Sequence, residues 1–237
     1  MKILAVDTSS TVAAVAVAEN TKLLGEFIIN HKKTHSQKLM PMIKNILDSL
    51  ELSPAEIDLY AASSGPGSFT GLRIGVTAVK AMAFAAGKPV VSVPTLDALA
   101  YNVPETEALI CPMMDARNNQ VFTAIYKYEK GEQIKITEYM GIPVLELIDM
   151  IKGKNQKAVF IGDGVEVHRE LLQIELGGKS IFLPNSLSMN RGSSVAQIAY
   201  LKAIKGFTEN CFEMAPFYLR KSQAEREYEK KQCKMDA

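Results

Sequence analysis

Three cysteines in 237 residues, at 111, 211 and 233, are too few and too widely spaced for a disulfide framework, and no CxxC pair exists to hold a metal. Cys111 falls inside an apolar run and reads as a small buried residue. Histidine is equally scarce. His31 and His35 have the i, i+4 spacing of a helical metal pair, but Lys32 and Lys33 between them repel a cation, and no acidic base stands there as in HExxH. His168 reads as an exposed helix residue. No metal site is expected. A net charge of +1 leaves no surplus of basic side chains for wrapping nucleic acid unaided, so any RNA contact is expected to be shared with a partner. No apolar run reaches the roughly 20 residues of a membrane span, and the opening Met1–Asp7 is too soon interrupted for a secretory signal. The expected setting is cytoplasmic, with no membrane.

What is present is the material of a folded α/β chain: 47% hydrophobic and 22% charged residues, enough for one large or two modest domains. Apolar strands are expected at 2–6, 12–18 and 23–30, the first two joined by the turn-forming run Asp7-Thr8-Ser9-Ser10. Leu39, Met42, Ile43, Ile46, Leu47 and Leu50 recur at helical spacing, predicting a helix over 35–50 with Ser36 as N-cap and Pro41 near its first turn. A strand at 58–62, a helix at 71–86 ended by Gly87 and a strand at 89–93 follow. From Ala108 the pattern restarts. The strand at 110–114 breaks at Asp115-Ala116-Arg117-Asn118-Asn119 and resumes at 121–128, mirroring the first hairpin and its aspartate. Helices are expected at 144–151, 165–174 and 193–204, and a strand at 158–161. The mirrored hairpins suggest two related α/β halves, 1–104 and 105–237, the second ending in a densely charged tail from Arg220.

The segment Ser63-Ser64-Gly65-Pro66-Gly67-Ser68-Phe69-Thr70-Gly71 joins a strand to a helix. Its glycines allow close backbone approach, and a helix N-terminus favours an anion. It is neither a Walker loop, which needs Gly-Lys-Ser/Thr, nor a GxGxxG fingerprint. An unliganded tight connection suits the same spacing. With Asp7, Thr8 and Ser9 at the hairpin turn, Gly65, Gly67 and Ser68 make a nucleotide site thinkable, in which ATP or ADP would bind with Mg. No nucleophile is armed: there is no GxSxG elbow, and the three histidines pair with no serine in an inferable way.

Six strings in order give the chain its resemblance: ILAVDTS at 3–9, HSQKLMPMI at 35–43, SSGPGSFTGLRIGV at 63–76, MDARNNQVF at 114–122, GDG at 162–164 and PFYLR at 216–220. Together they resemble the TsaB (YeaZ) family, within the actin, hexokinase and Hsp70-like (ASKHA) group. The resemblance implies an α/β architecture of two duplicated ribonuclease H-like domains. It implies a non-catalytic scaffold that binds and activates TsaD, the enzyme forming N6-threonylcarbamoyladenosine at position 37 of tRNAs reading codons that begin with A. TsaE completes the machinery, and a homodimer forms when TsaD is absent. TsaD enzymes carry a metal-binding HxxxH after the strand that follows the glycine-loop helix; Thr95 and Leu99 stand in those places here, and neither ligates as imidazole does. No cofactor is required by this reading. A nucleotide-binding, ATPase-like regulator of the same complex is the alternative. The resemblance further implies partner contact through the two N-terminal helices, for which His35, Leu39, Ile43 and Leu47 offer bulk and Gly71, Gly75, Ala78 and Met82 a slim stripe.

Overall fold

The computed structural model describes residues 1–31 and 35–220. The first half runs β1 (Lys2–Asp7), β2 (Val12–Glu19), β3 (Lys22–Asn30), α1 (His35–Ser49), β4 (Leu59–Gly65), α2 (Phe69–Ala86) and β5 (Val90–Pro94). The sheet order is β3-β2-β1-β4-β5, antiparallel from β1 to β3 and parallel from β1 through β4 to β5. Side chains alternate across a strand. Leu4 and Val6 therefore enter the core under α1 and α2, while Ile3 and Ala5 enter a second core on the opposite face.

A short helix α3 (Thr95–Ala100) leads into the second half: β6 (Leu109–Asp115), β7 (Gln120–Thr123), β8 (Tyr126–Glu129), β9 (Glu132–Lys135), β10 (Met140–Pro143), α4 (Val144–Lys154), β11 (Ala158–Ile161), α5 (Asp163–Leu176) and β12 (Ser180–Phe182). Its main order, β10-β7-β6-β11-β12, repeats the first sheet strand for strand in sequence role and direction, with the β8–β9 hairpin added beside β6. The fold is the duplicated ribonuclease H-like pair. Leu96, Leu99 and Ala100 of α3 pack on the second sheet, while Ala98 joins the second core of the first.

The last helix, α6 (Gly192–Ala203), lays Val195, Ala196 and Ala199 against Ile3, Ala5, Val91 and Val93 of the first sheet. Beyond it the chain runs back along α2. Glu209 bridges the edge residue Val90, Cys211 and Met214 enter the core under α2, and Phe217 N donates to Ser64 O at 2.6 Å. The two sheets divide on either side of α3, but residues 192–219 return to the first half. The expected cut into 1–104 and 105–237 therefore does not follow the packing.

Three other expectations are corrected and one is qualified. The stretch 121–128 is two strands, because the chain changes partner: β7 pairs with β6 and β10, while β8 turns to β9 and Ile110. Pro41 lies in the second turn of α1, with its ring exposed. By length and composition α2 is apolar enough to cross a membrane, but one face of it is core of the first sheet. His168 is buried, at 5% exposure, with Nε2 lacking a partner among the described residues; burial lowers its pKa. The charged tail beyond Arg220 lies outside the described residues, as do Lys32 and Lys33.

Candidate functional site

The ends of β1 and β4 meet the ends of β6 and β11 across a cleft of about 730 Å³, walled by Ser9–Thr11, His31, His35, Pro66–Gly71, Asp115–Arg117, Asp163 and Phe217–Arg220. Duplication explains the arrangement. Asp7 closes β1 as Asp115 closes β6, and the loop after β4 enters α2 as the loop after β11 enters α5.

In the first half the expected nucleotide residues do come together, but they bind one another. Asp7 is wholly buried. Its Oδ1 accepts from Ser9 N at 2.9 Å and Ser9 Oγ at 2.6 Å, and its Oδ2 from Ser63 Oγ at 2.5 Å and Asn190 Nδ2 at 3.2 Å. Asn190 Nδ2 also donates to Ser9 Oγ at 3.0 Å. The carboxylate has neither a free lone-pair direction nor exposed surface to offer a hydrated Mg²⁺. Thr8 is buried too, its hydroxyl donating to Gly71 O at 2.7 Å. The glycine loop is shut against the same turn. Ser68 N donates to Ser9 O at 2.7 Å, and a Cβ on Gly67 would collide with that oxygen. Gly65, at φ +125°, leaves room for Phe217 O. Ser68 Oγ caps α2 by accepting from Gly71 N. Asp7, Thr8 and Ser9 thus form a hydrogen-bonded clasp with Ser63, Asn190 and Gly71, in which Asp7 offers a magnesium ion no free carboxylate oxygen, while Gly67 and Ser68 line the cleft beside it. Asn190 carries no sequence signal for this role, because its contact spans 183 residues with no local pattern.

The second half leaves its carboxylates facing the cleft. Asp163 Oδ1 accepts from Asp115 N at 3.0 Å, and Asp115 Oδ1 from Arg117 N at 2.8 Å. Burial, with a smaller push from Asp115, raises the Asp163 pKa to about 6 against the pull of its backbone hydrogen bonds. Arg117, Asn118 and Asn119 all have positive φ, a tight left-handed turn that Arg220 holds from the opposite half through Ala116 O and Gln120. His35 begins α1, and its Nε2 lies 2.8 Å from Ser10 O; His31 is exposed at the cleft rim. Thr95 and Leu99 lie on one side of α3, both buried, and Thr95 Oγ1 has no partner among the described residues.

The expected partner residues are largely spent on the chain's own packing. Leu39, Ile43 and Leu47 are 1%, 2% and 4% exposed, in the core under α1. A Cβ on Gly71 would strike Thr8 O, and one on Gly75 would strike Thr8 Oγ1. That stripe faces the β1–β2 turn. Ala78 and Met82, further along it, are half-buried against the same core. The face that α2 leaves open carries Thr70, Arg73, Thr77, Ala81, Phe84 and Ala85. Helical periodicity does not single it out, because α2 is apolar nearly all round.

A family model described as TsaD: tRNA N6-adenosine threonylcarbamoyltransferase matches residues 22–228. The tRNA threonylcarbamoyladenosine biosynthesis protein TsaB of Bacillus subtilis is 31% identical, with 96% of this chain aligned to 98% of that one. The chain belongs to the TsaB (YeaZ) family. It thereby also falls within the wider family that the TsaD model describes. The TsaB of Haemophilus influenzae is 31% identical over 93% of this chain and 94% of its own. A Pseudomonas aeruginosa protein, solved as one with similarity to peptidase YeaZ, superposes with a TM-score of 0.79 at 25% identity, covering 92% of this chain and 99% of its own. These relatives match over 92–96% of this chain, so the family likeness includes both sheets.

Proposed function

We propose that this chain is a non-catalytic subunit that binds and activates TsaD in forming N6-threonylcarbamoyladenosine at position 37 of tRNAs reading codons that begin with A. One observation carries the reading: the open face of α2 is five small or apolar side chains and a single charge, Arg73, on a rigid helix backed by a full core. Helices associate closely where small residues let their backbones approach, and Thr77, Ala81 and Ala85 provide that. Two further features support a subunit without transfer chemistry of its own. Thr95 and Leu99 stand where the resemblance puts the metal ligands of TsaD, and Asp7 is consumed by its own neighbours. The nucleotide-binding alternative loses ground for the second reason, and no cofactor is required. TsaE joins the assembly, the chain pairs with itself when TsaD is absent, tRNA is touched at most indirectly, and the setting is cytoplasmic.

Reconstitution tests the reading. TsaD and TsaE are supplied with ATP, threonylcarbamoyl-adenylate and tRNA, with and without this chain. Modification is expected to depend on the chain; full modification in its absence would overturn the proposal.

A further inference from the structure

Helix α2 contains no acidic residue and only two basic ones, Arg73 and Lys80. The Lys80 ammonium is committed, donating to Met214 O at 2.7 Å and Phe212 O at 3.3 Å, where it ties down the returning C-terminal segment. Arg73 is exposed, and no carboxylate pairs with it among the described residues. Its conformation is nevertheless fixed. The guanidinium carbon lies 4.7 Å from the Phe69 ring centre and 6.0 Å from that of Tyr218, the two rings stack at 3.9 Å, and Arg73 Nε donates to the Tyr218 hydroxyl at 3.1 Å. Such a guanidinium has already given up much of its rotamer freedom, and its two terminal amino groups match the spacing of a carboxylate's oxygens.

We propose that Arg73 determines the specificity of this face, by binding an Asp or Glu carboxylate on the partner's docking helix and by disfavouring a second copy of the chain. The inference rests on the reading of the α2 face as the TsaD docking surface. Charge complementarity carries it. A second copy docking through α1 and α2 would bring one acidic residue in all, Asp48, which Lys44 of its own helix already pairs. Self-pairing through those helices would thus desolvate two arginines without a counter-ion. A partner helix bearing a carboxylate relieves that cost, and specificity is the difference between the two.

The test uses the full chain and purified TsaD, with hetero-association followed by calorimetry and self-association by sedimentation. Arg73→Gln is expected to weaken TsaD binding roughly ten- to a hundredfold and to leave self-association unchanged or tighter. Arg73→Lys should fall between, keeping charge without the planar fork. Ala81→Glu, which puts a bulky charge in the middle of the face, is the control. If wild type fails to bind TsaD, or Ala81→Glu binds it as wild type does, the docking reading and this inference both fall. If Ala81→Glu abolishes binding while Arg73→Gln does not change it, only the role of Arg73 is overturned. Parallel weakening of both associations by Arg73→Gln also overturns it, since that is a general loss of the face.

Discussion

Gly75 has room for hydrogen alone, because Thr8 Oγ1 occupies the space its Cβ would need and Val6 stands close behind. Replacement by alanine is therefore expected to cost about 1–3 kcal/mol of stability, as overpacking of a tight site does, and larger residues more. Urea melts of Gly75→Ala would check this; a midpoint equal to wild type would mean that the helix floats off the turn at no cost. Asp163 gives a second residue-level prediction. An unfolded aspartate titrates near 4, the folded one at about 6. Between those values the native chain holds a proton that the unfolded chain has lost. Stability contributed by this group therefore declines as pH rises from about 4 to about 6 and is flat above. Asp163→Asn cannot ionise but can still accept the bond from Asp115 N. The variant should be more stable than wild type at pH 7.5, with the difference closing towards pH 4. A difference that stays constant across that range would show that the carboxyl is not raised.

Among the elements, those with a strong burial pattern are legible in the sequence. β1 and β2 bury both faces, α1 carries five buried apolar residues at helical spacing, and the expected strand at 158–161 coincides with β11. β9, β10 and β12 are not: they are three or four residues long with no buried residue to mark them, β9 being the hairpin partner of β8 and β10 and β12 being set by β7 and β11 across intervening segments. The same limit hides the site. Asp7, Ser9 and the glycine loop do group together, since hydroxyls and glycines mark a close approach. What approaches is the chain's own backbone and Asn190, which no local spacing foretells. Small-residue spacing singles out the side of α2 that packs on the Thr8 turn, because only that turn, contributed by another element, distinguishes its two small-residue sides. α6 is visible as a helix, but its place on the first sheet is not. That placement predicts the behaviour of a fragment. A chain ending at residue 104 exposes Ile3, Ala5, Val91 and Val93, which α6 covers, and loses Cys211 and Met214 from the opposite core. It should lack dispersed amide resonances in an NMR spectrum. A well-dispersed spectrum would show that the first half is an independent domain.

For the whole molecule, the decisive relation is between the two halves across the cleft. In the first half, Asp7 is closed over by a side chain from the C-terminal part: Asn190 reaches Asp7 and Ser9, while Arg220 reaches back to hold the Arg117–Asn119 turn. The cleft is thus fastened by contacts 104 to 183 residues apart in sequence, and Asp7 could coordinate a cation only if its hydrogen bonds to Ser9, Ser63 and Asn190 were rearranged. Ligands that bind the native state raise its stability by about 2.7 kcal/mol at a hundred times Kd. MgATP or MgADP at millimolar concentration is therefore expected to leave the melting temperature where it was. Asn190→Ala sharpens the experiment. It removes two buried hydrogen bonds, at a cost of about 1–3 kcal/mol, and leaves Asp7 Oδ2 with Ser63 as its remaining partner. If the Asp7 clasp alone excluded nucleotide, this variant would gain a nucleotide-dependent rise that wild type lacks. With the Gly67–Ser9 approach still in place, no rise is expected in either protein. A rise in wild type would reverse the assignment of the clasp and return the glycine loop to the role of a phosphate site.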